Sequence, residues 1–481
     1  MRTKRQVATR AATLALGAVL TECLSGCVVG PTYKAPETKL AAFHNAAAVE
    51  ARPAALPEPP LEEWWTGFHD PLLTEIVQRA LSQNLELAAA LARVDEARAA
   101  AREAGAQLLP QGDVVAQAAP FHQSLESPLG SIARHLPGYE RNQTLYDFGA
   151  VASWEVDLFG ELRRGAEAAG ADAEVAAAEQ AGARISVAAE AADAYLQIRG
   201  NQARLIVTED QIATDNQLLN LVRLRFAAGA SSNREVAQAE ALLAQARATV
   251  PPLRIALEAQ LNRLDVLMGV QPGTYAARVA IPAELPRVPA VSSGASDALL
   301  RRRPDVIAAE RRLAASNARI GVAIAGYYPK LSLAGVLGFE SLDGHELFTS
   351  AAFQPAAAAG VRWRLFDFGR VDAEVAQARG AEAQALAAYR LAVLRAAEDV
   401  ENALMSLVQL EAQSAELTSQ VAALARARDT SEEDYKAGAI ALTDVLDADR
   451  ELLLARDNLA ESRADTARAA VSLFRSLGGG W

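Results

Sequence analysis

Residues 161–228 begin ELRRGAEAAG, end LVRLRFAA and contain no proline over 68 positions, and this stretch decides the fold. A continuous helix of that length would reach roughly 100 Å, whereas globular helices average about 11 to 12 residues. A heptad pattern of apolar residues is typical of a helix that packs along a partner as a coiled coil. Apolar side chains recur at every seventh position, at Ile198, Leu205, Ile212, Leu219 and Phe226.

A second stretch follows the same plan 209 residues later. WEVDLFG at 154–160 matches WRLFDFG at 363–369, and FAAGA at 226–230 matches YKAGA at 435–439. Leu109-Pro110 matches Tyr328-Pro329 at an offset of 219, which leaves ten additional residues in the first half. A repeat of this length indicates two equivalent units with the insertion in a loop. The sequence therefore predicts a second proline-free helix over 370–437.

Each long helix is followed by a glycine and then by another amphipathic run. Gly229 and Gly438 stand where helices commonly end in the left-handed conformation. We therefore predict two long helical hairpins, over 161–270 and 370–481. Pro251-Pro252 should kink or break the first return arm about midway, whereas the second, over 442–477, is predicted to be unbroken.

Stretches with a period of two precede each long helix. Apolar residues alternate with polar or small ones at 152–158, 331–340 and 361–365, and 113–117 is a weaker candidate. Strands of about ten residues with this alternation are typical of transmembrane barrels. Four strands cannot close a barrel, because the smallest barrels need about eight and an open edge in lipid is costly. Either several chains share one barrel, or the strands form a soluble sheet packed on helices.

The first 26 residues have the pattern of a secretory signal peptide. Basic residues precede an apolar run at 11–20 that is too short to remain as a membrane-spanning helix. Leu24-Ser25-Gly26-Cys27 then resembles the bacterial lipobox, in which the cysteine sulfur receives a diacylglycerol; the alternative is an ordinary cleavage site with an incidental cysteine. Residues 27–70 are rich in proline and predicted to be an irregular tether, followed by a helix over 71–110.

Charge and composition exclude several functions. The formal net charge of −12 argues against nucleic acid as a partner. Both cysteines lie in or beside the signal segment, so the mature chain has no disulfide option. The five histidines are scattered, and neither metal-binding nor nucleophile motifs occur. We therefore expect neither enzyme activity nor a cofactor.

Seven motifs spread over the chain support a family resemblance. They are CVVGPTY at 27–33, WW at 64–65, DP at 70–71, RPDV at 303–306, YP at 328–329, LFDFGR at 365–370 and LGGGW at 477–481. Together they resemble the TolC-type outer-membrane efflux channels, most closely the lipoprotein branch of the NodT and OprM type, which are RND-type efflux outer-membrane factors.

The resemblance implies a mainly α fold with a small β part. A long α-helical barrel of coiled-coil hairpins would join a transmembrane β-barrel shared between three chains, with four strands per chain. On this plan 111–160 and 330–369 form the two β-hairpins, 271–300 is a linker and 301–329 is a helix. The resemblance also implies a lipid-anchored homotrimer in outer-membrane lipid that extends into the periplasm.

The implied function is a passive duct of a tripartite efflux system for drugs or other small toxic solutes. Its partners would be a periplasmic adaptor, also called a membrane fusion protein, and an inner-membrane RND-type transporter. Two alternatives remain open: the outer-membrane channel of a type I protein secretion system, and a lipid-anchored periplasmic coiled-coil scaffold. Ion conductance would distinguish a channel from the scaffold.

Three groups of residues are carried over as candidate sites, besides lipidation at Cys27. Asp447 and Arg450 match the polar periplasmic gate of the family, with Thr443 where relatives have an apolar residue; the alternative is an ordinary exposed ion pair. Trp154 and Trp363 suit a membrane-interface aromatic belt or, alternatively, ordinary sheet packing. The adaptor-contacting tips, which could also be plain helix ends, would include Arg225, Phe226, Gly229, Ser231, Tyr435 and Gly438.

Overall fold

The structure is a computed structural model that describes residues 28–37, 40–52, 56–291 and 302–481. It contains two compact units, each assembled from three separate parts of the chain. The first, here called the sheet unit, comprises the chain up to Pro36 together with Asp95–Glu174 and Glu310–Ala387. The second, the helical unit, comprises Glu37–Val94, Val175–Ala309 and Ala388–Trp481. Both units therefore take segments from each half of the sequence repeat.

Helices make up most of the described chain. In order they are α1 Ala46–Glu50, α2 Pro71–Gln83, α3 Leu85–Ala106, α4 Pro128–Ala133, α5 Glu161–Ala227, α6 Asn233–Leu267, α7 Ala276–Val279, α8 Pro304–Ala325, α9 Arg370–Ala437 and α10 Leu442–Ser476, with a 3₁₀ helix at Leu61–Phe68. None of those within the described residues combines the length and apolar character that crossing a membrane requires.

Four strands form a single antiparallel sheet in the sheet unit. They are β1 Gln111–His122, β2 Asn142–Val156, β3 Lys330–Ser341 and β4 Phe353–Arg362, and they pair in chain order. The predicted fold class, mainly α with four strands from this chain, is confirmed.

The register of the sheet separates apolar from polar side chains. Trp154 lies opposite Leu333, and Leu333 lies opposite Ala359, so these residues share one face. From Phe148 to Val156, every residue on this face and opposite it is apolar or glycine. Successive side chains point to opposite faces of a strand. The other face accordingly collects the polar side chains of the sheet, among them Asp113, Gln117, Asp147, Glu155, Ser332, Glu340, Gln354 and Arg362.

Two strand boundaries differ from the prediction. The alternation at 361–365 predicted a strand through Trp363, but β4 ends at Arg362 and starts at Phe353. Small apolar residues occupy both faces of β4 over 356–359, so its centre has no visible period of two. The predicted strand at 152–158 is the end of β2, which stops at Val156. The weak candidate at 113–117 is the centre of the full-length β1.

The elements follow both repeat offsets to the residue. α3 and β1 become α8 and β3 after 219 residues, and α6 becomes α10 after 209 residues. The paired registers agree as well, since the pair Gln111 and Ser153 corresponds to the pair Lys330 and Arg362. The additional ten residues fall in the connection between β1 and β2, where α4 lies. The insertion was therefore correctly predicted to lie in a loop.

The helix predicted over 71–110 is two helices, because Asn84 interrupts it. Asn84 has an extended ψ of 128°, and its backbone thereby leaves the helix after Gln83. Its side-chain Oδ1 accepts from the Leu87 N–H at 2.9 Å, while Nδ2 donates to the Leu267 carbonyl at 2.9 Å. Asparagine competes well for such backbone groups and is a strong N-cap, so α3 begins anew at Leu85.

The predicted break at Pro251-Pro252 does not occur. α6 runs continuously from Asn233 to Leu267 with both prolines inside it. Each proline lacks the N–H that would close a helical hydrogen bond. Ala246 and Leu253, on either side of the pair, are buried. Packing of this arm therefore outweighs the two missing backbone bonds.

The proline-rich segment is less irregular than predicted. Within 27–70 the chain forms α1 and the 3₁₀ helix Leu61–Phe68. Trp64 and Trp65 of that helix are fully buried in the core of the helical unit, where Trp64 stacks on Phe474 with centroids 5.4 Å apart. Burying two indoles stabilises this segment by several kcal/mol, roughly 1.5 to 3 for each large side chain.

Candidate functional site

The turns at the ends of the two hairpins have the same geometry. Gly229 and Gly438 each have a φ of +76°. In the first turn the Ala230 N–H donates to the Arg225 carbonyl at 2.8 Å, and the equivalent bond of the second turn is also 2.8 Å. This pattern is a Schellman helix end. A Cβ atom on either glycine would meet open space, so backbone conformation alone explains the glycines.

Arg225 joins the two turns to each other. Its guanidinium lies over the Tyr435 ring, 4.4 Å from the centroid. Its Nη1 also donates to the Tyr435 carbonyl oxygen at 2.7 Å. Tyr435 is buried, with 3 % of its surface exposed. Among the predicted tip residues, the structure therefore brings together Arg225 and Tyr435, one from each half of the repeat.

The other predicted tip residues take different positions. Ser231 Oγ donates to Glu235 Oε2 at 2.6 Å, and the Ser232 N–H donates to the same oxygen at 2.7 Å. These hydrogen bonds lower the pKa of Glu235 and start α6 with a capping box. Phe226 stays 46 % exposed at the end of α5. An exposed aromatic side chain beside a helix end is available to a partner.

The three predicted gate residues share one exposed face of α10. Thr443, Asp447 and Arg450 are spaced at i, i+4 and i+7, and all three are exposed. Arg450 Nη1 lies 3.2 Å from Asp447 Oδ1, so the pair forms an ion pair within the helix. These residues line a surface groove together with Gln238 and Gln245 of α6. The groove is polar apart from Ala241, Leu242 and Leu446.

The opposite face of α10 is buried against the rest of the helical unit. Leu442, Val445 and Leu446 belong to an apolar cluster whose other members include Leu219 of α5 and Leu243 of α6. The predicted gate residues and this cluster lie on opposite sides of one helix. The packing of the cluster therefore determines where the exposed face stands.

A buried ion pair that the sequence did not predict lies on the packed face. Asp449 is 1 % exposed, and its Oδ1 accepts from Arg428 Nε of α9 at 2.8 Å. Arg428 Nη1 also contacts Glu432 at 2.5 Å and Asp429 at 3.3 Å. Burial raises the pKa of Asp449, although Arg428 acts in the opposite direction. Removing one partner of such a pair leaves a buried charge uncompensated.

A second buried carboxylate lies in α5. Asp215 is 2 % exposed, and Gln211 Nε2 donates to its Oδ1 at 2.8 Å. Burial raises its pKa to about 6, and the negative charge of Asp449 acts in the same direction. Gln211 also lowers the pKa of Asp449 by hydrogen bonding. The amide of Gln211 thus serves both carboxylates.

The sequence contained a signal for this polar cluster. The heptad residues Leu205 and Ile212 are only half-buried, whereas Thr208, Gln211 and Asp215 are almost fully buried. The buried positions follow spacings of three and four, the a and d pattern of a coiled coil. Testing every heptad phase, including those with polar occupants, would have found it.

Both predicted interface tryptophans make the same hydrogen bond in the sheet unit. Trp154 Nε1 donates to the Leu108 carbonyl at 3.0 Å, and Trp363 Nε1 donates to the Tyr327 carbonyl at 2.9 Å. Each acceptor precedes a strand of the same half of the repeat. Cys27, the predicted lipidation site, lies outside the described residues.

Sequence and structure comparisons agree with this architecture. The family described as outer membrane efflux protein matches residues 76–270 and 295–479. The chain belongs to the outer membrane efflux protein family. Membership places it in the outer membrane, extending into the periplasm, and confirms the predicted resemblance.

Individual members of the efflux protein family align along almost the whole chain. The pyoverdine export outer membrane protein OpmQ of Pseudomonas putida is 32 % identical over 427 residues, with 89 % of each chain covered. Nodulation protein T of Rhizobium leguminosarum bv. trifolii is 29 % identical, with 95 % of each covered. The solved structure of the outer-membrane channel OprN has a TM-score of 0.86 at 34 % identity and covers 95 % of this chain and 100 % of its own.

Proposed function

We propose that this protein is the passive, homotrimeric outer-membrane channel of a tripartite efflux system that exports drugs or other small toxic solutes. It acts without enzymatic chemistry of its own. A periplasmic adaptor contacts the tips around Arg225 and Tyr435, and an inner-membrane RND-type transporter supplies the energy. Cys27 anchors the mature chain in the outer leaflet through its lipid. Family membership favours this function over a scaffold or a protein-secretion channel.

The sheet provides the observation on which the trimer rests. It has one apolar face, and its outer strands β1 and β4 have no neighbour on their outer side within the described residues. Unpaired backbone groups facing lipid cost several kcal/mol each. The polar side chains of the opposite face suit a water-filled interior. Pairing of β4 with β1 of the next copy removes both edges.

The repeat specifies the register of that pairing. β2 pairs with β3 so that Ala150 lies opposite Leu337. Shifting each residue by its own repeat offset turns this pair into Ala359 of one copy and Ala118 of the next. The same offsets correctly relate the β1–β2 register to the β3–β4 register. The inter-subunit register is therefore a direct expectation of the repeat.

Disulfide cross-linking tests the trimer and its register together. A mature chain carrying Ala118→Cys and Ala359→Cys should form covalent trimers in the outer membrane under oxidising conditions. The matched control carries Val114→Cys and Ala359→Cys, which lie about four residues or roughly 13 Å out of register, beyond disulfide reach. Covalent trimers from the control alone, or from neither variant, would refute the register.

Bilayer recording tests the channel itself. Purified protein should conduct ions across a planar lipid bilayer in discrete steps, because a shared barrel leaves a water-filled path. Deleting the outer-membrane protein from a cell that depends on it should also increase sensitivity to exported toxic compounds. A protein that assembles into trimers without conductance would support the scaffold and contradict the channel.

A further inference from the structure

Two buried carboxylates on neighbouring helices each have one oxygen without a partner. Asp215 Oδ2 and Asp449 Oδ2 are both shielded from water and make no hydrogen bond within the part of the chain that the structure describes. Their other oxygens accept from Gln211 and Arg428 respectively. Unsatisfied buried polar atoms are rare in folded proteins and call for an explanation. A proton on one of the carboxyl groups would supply the missing donor.

The charge around the two carboxylates favours such a proton. Arg428 is the cation of the cluster, and it faces Asp449 and Glu432 at 2.8 and 2.5 Å, with Asp429 at 3.3 Å. From α5 the cluster receives Asp215 and the neutral amide of Gln211. The side chains that α6 contributes to the adjoining core, Ala239, Leu242 and Leu243, are apolar. Three carboxylates besides Asp215 thus surround one guanidinium.

The position of Asp449 connects this cluster to the predicted gate. Asp449 stands between Asp447 and Arg450 in the chain but on the opposite, buried face of α10. Its ion pair with Arg428 joins the gate-bearing turn of α10 to α9. Displacing the exposed gate residues by rotation or translation of α10 would therefore require this ion pair to part.

We propose that Arg428, Asp449, Gln211 and Asp215 form a proton-operated latch that fixes the gate-bearing turn of α10 to α9 and α5. The proposal rests on the proposed channel function and adds a regulatory element to it. Asp449 and Arg428 are positioning residues, because they act on the gate through the placement of α10. Protonation of Asp215 removes its repulsion with Asp449 and closes the latch more tightly.

The sign of the pH effect follows from burial. The pKa of Asp215 is raised to about 6, so this carboxyl is mostly protonated at about pH 5.5 and ionised at about pH 7.5. The ionised pair is repulsive and buried, which weakens the closed state at the higher pH. The conductance of the closed channel should therefore rise severalfold from about pH 5.5 to about pH 7.5.

Three variants separate the latch from a purely structural role. Asp215→Asn keeps the shape and cannot ionise, so its closed-state conductance should stay low and flat over the same pH range. Arg428→Ala should conduct more at both pH values, and Arg428→Lys should restore part of the closure. The matched control, Asp447→Asn on the exposed face, should keep the wild-type pH profile whatever its absolute conductance.

The readouts distinguish failure of the latch from failure of the channel function. Variants are compared only after cross-linked trimers have been verified, and all recordings use planar bilayers with potassium chloride. A wild-type conductance independent of pH, or an Asp215→Asn profile identical to wild type, would overturn the latch while leaving the channel intact. Absence of conductance in every sample, wild type included, would instead contradict the proposed function.

Discussion

Arg225 at the end of α5 binds Tyr435 at the end of α9 through two independent contacts. The guanidinium stacks 4.4 Å from the ring centroid, and its Nη1 donates to the Tyr435 carbonyl at 2.7 Å. The same carbonyl accepts from the Gly438 N–H at 3.0 Å. One side chain of the first hairpin therefore supports the backbone turn of the second. Both tips should present themselves to a partner as one surface.

Removing this contact should impair adaptor docking. Arg225→Ala loses a cation–π contact and a charge-assisted hydrogen bond, together about 1 to 3 kcal/mol. We expect weaker chemical cross-linking to the adaptor and reduced efflux, with trimers still formed. Tyr435→Phe should behave almost as wild type, because the ring and the carbonyl remain.

The matched control for the tip experiment is Arg223→Ala. Arg223 is also near the end of α5 but pairs with Glu240 on the exposed surface at 2.7 Å, with half of each side chain accessible. Exposed ion pairs contribute little, about 0 to 1 kcal/mol. Equal losses of docking in the two variants would show that a charge, and not the link to Tyr435, matters.

The exposed ion pair of the predicted gate should affect conductance more than stability. Asp447→Ala with Arg450→Ala removes a pair that is 67 % and 49 % exposed at the side chains. The stability change should stay within about 1 kcal/mol. Closed-state conductance in a bilayer should rise, because both charges lie on the face predicted to narrow the channel. The exposed pair Arg263 and Glu190, 3.1 Å apart, gives the control, whose double alanine variant should conduct as wild type.

The pH dependence of stability should reverse on substitution of Asp215. Its pKa is raised from 3.8 to about 6, so its contribution to stability is complete below about pH 4 and is lost as the pH rises through 6. Asp215→Asn should therefore be more stable than wild type at about pH 7.5, by at most about 3 kcal/mol, and equal to it in acid. Thermal unfolding of the detergent-solubilised protein at both pH values measures the difference. A variant that is destabilised equally at both would show that the carboxylate has another, favourable partner.

The repeat explains why so much of the architecture was predictable. Glycines that need a positive φ and prolines that precede strands fix boundaries locally, so Gly229, Gly438 and Pro329 could be interpreted from sequence alone. Comparing the two halves then placed the hairpins and strands. The β4 boundary failed because alanine and glycine suit both faces of a strand. The continuity of α6 failed because long-range packing outweighed the local effect of Pro251.

The candidate site was predictable only on its exposed side. Asp447 and Arg450 match a motif and stand on one helix, so their relationship is local. Arg428 and Asp449 lie on different helices, and Asp215 lies on a third, so that only the packing of three helices brings them together. Polar residues at heptad positions are the sequence trace of such a cluster.

Asn84 provides a prediction about the junction of α2 and α3. Asn84→Ala removes both the cap of Leu87 and the bond to the Leu267 carbonyl, each at 2.9 Å. Loss of a cap and a buried hydrogen bond should lower stability by about 1 to 3 kcal/mol. Asn84→Asp keeps the cap acceptor but leaves the Leu267 carbonyl unpaired, so it should fall between the two. Thermal unfolding of the trimer measures all three proteins.

Phe368 should be a contact between copies of the chain. Its counterpart in the first half, Phe159, stacks on Tyr328 with ring centroids 4.5 Å apart, whereas Phe368 is fully exposed. The repeat places Leu109 of the next copy where Tyr328 stands for Phe159, and Leu109 is itself 64 % exposed. Burying a phenylalanine side chain is worth roughly 1.5 to 3 kcal/mol.

Phe368→Ala should therefore lower the temperature at which trimers dissociate in detergent, and Leu109→Ala should have a similar effect. Because both changes remove the same contact, the double variant should lose less than the sum of the two single variants. Phe366→Ala serves as the control, since Phe366 is also highly exposed but its counterpart in the first half is Asp157, which offers no aromatic contact to copy. Strictly additive losses at Phe368 and Leu109 would show that the two side chains do not meet, and that the offset relating the halves of one chain does not relate neighbouring chains.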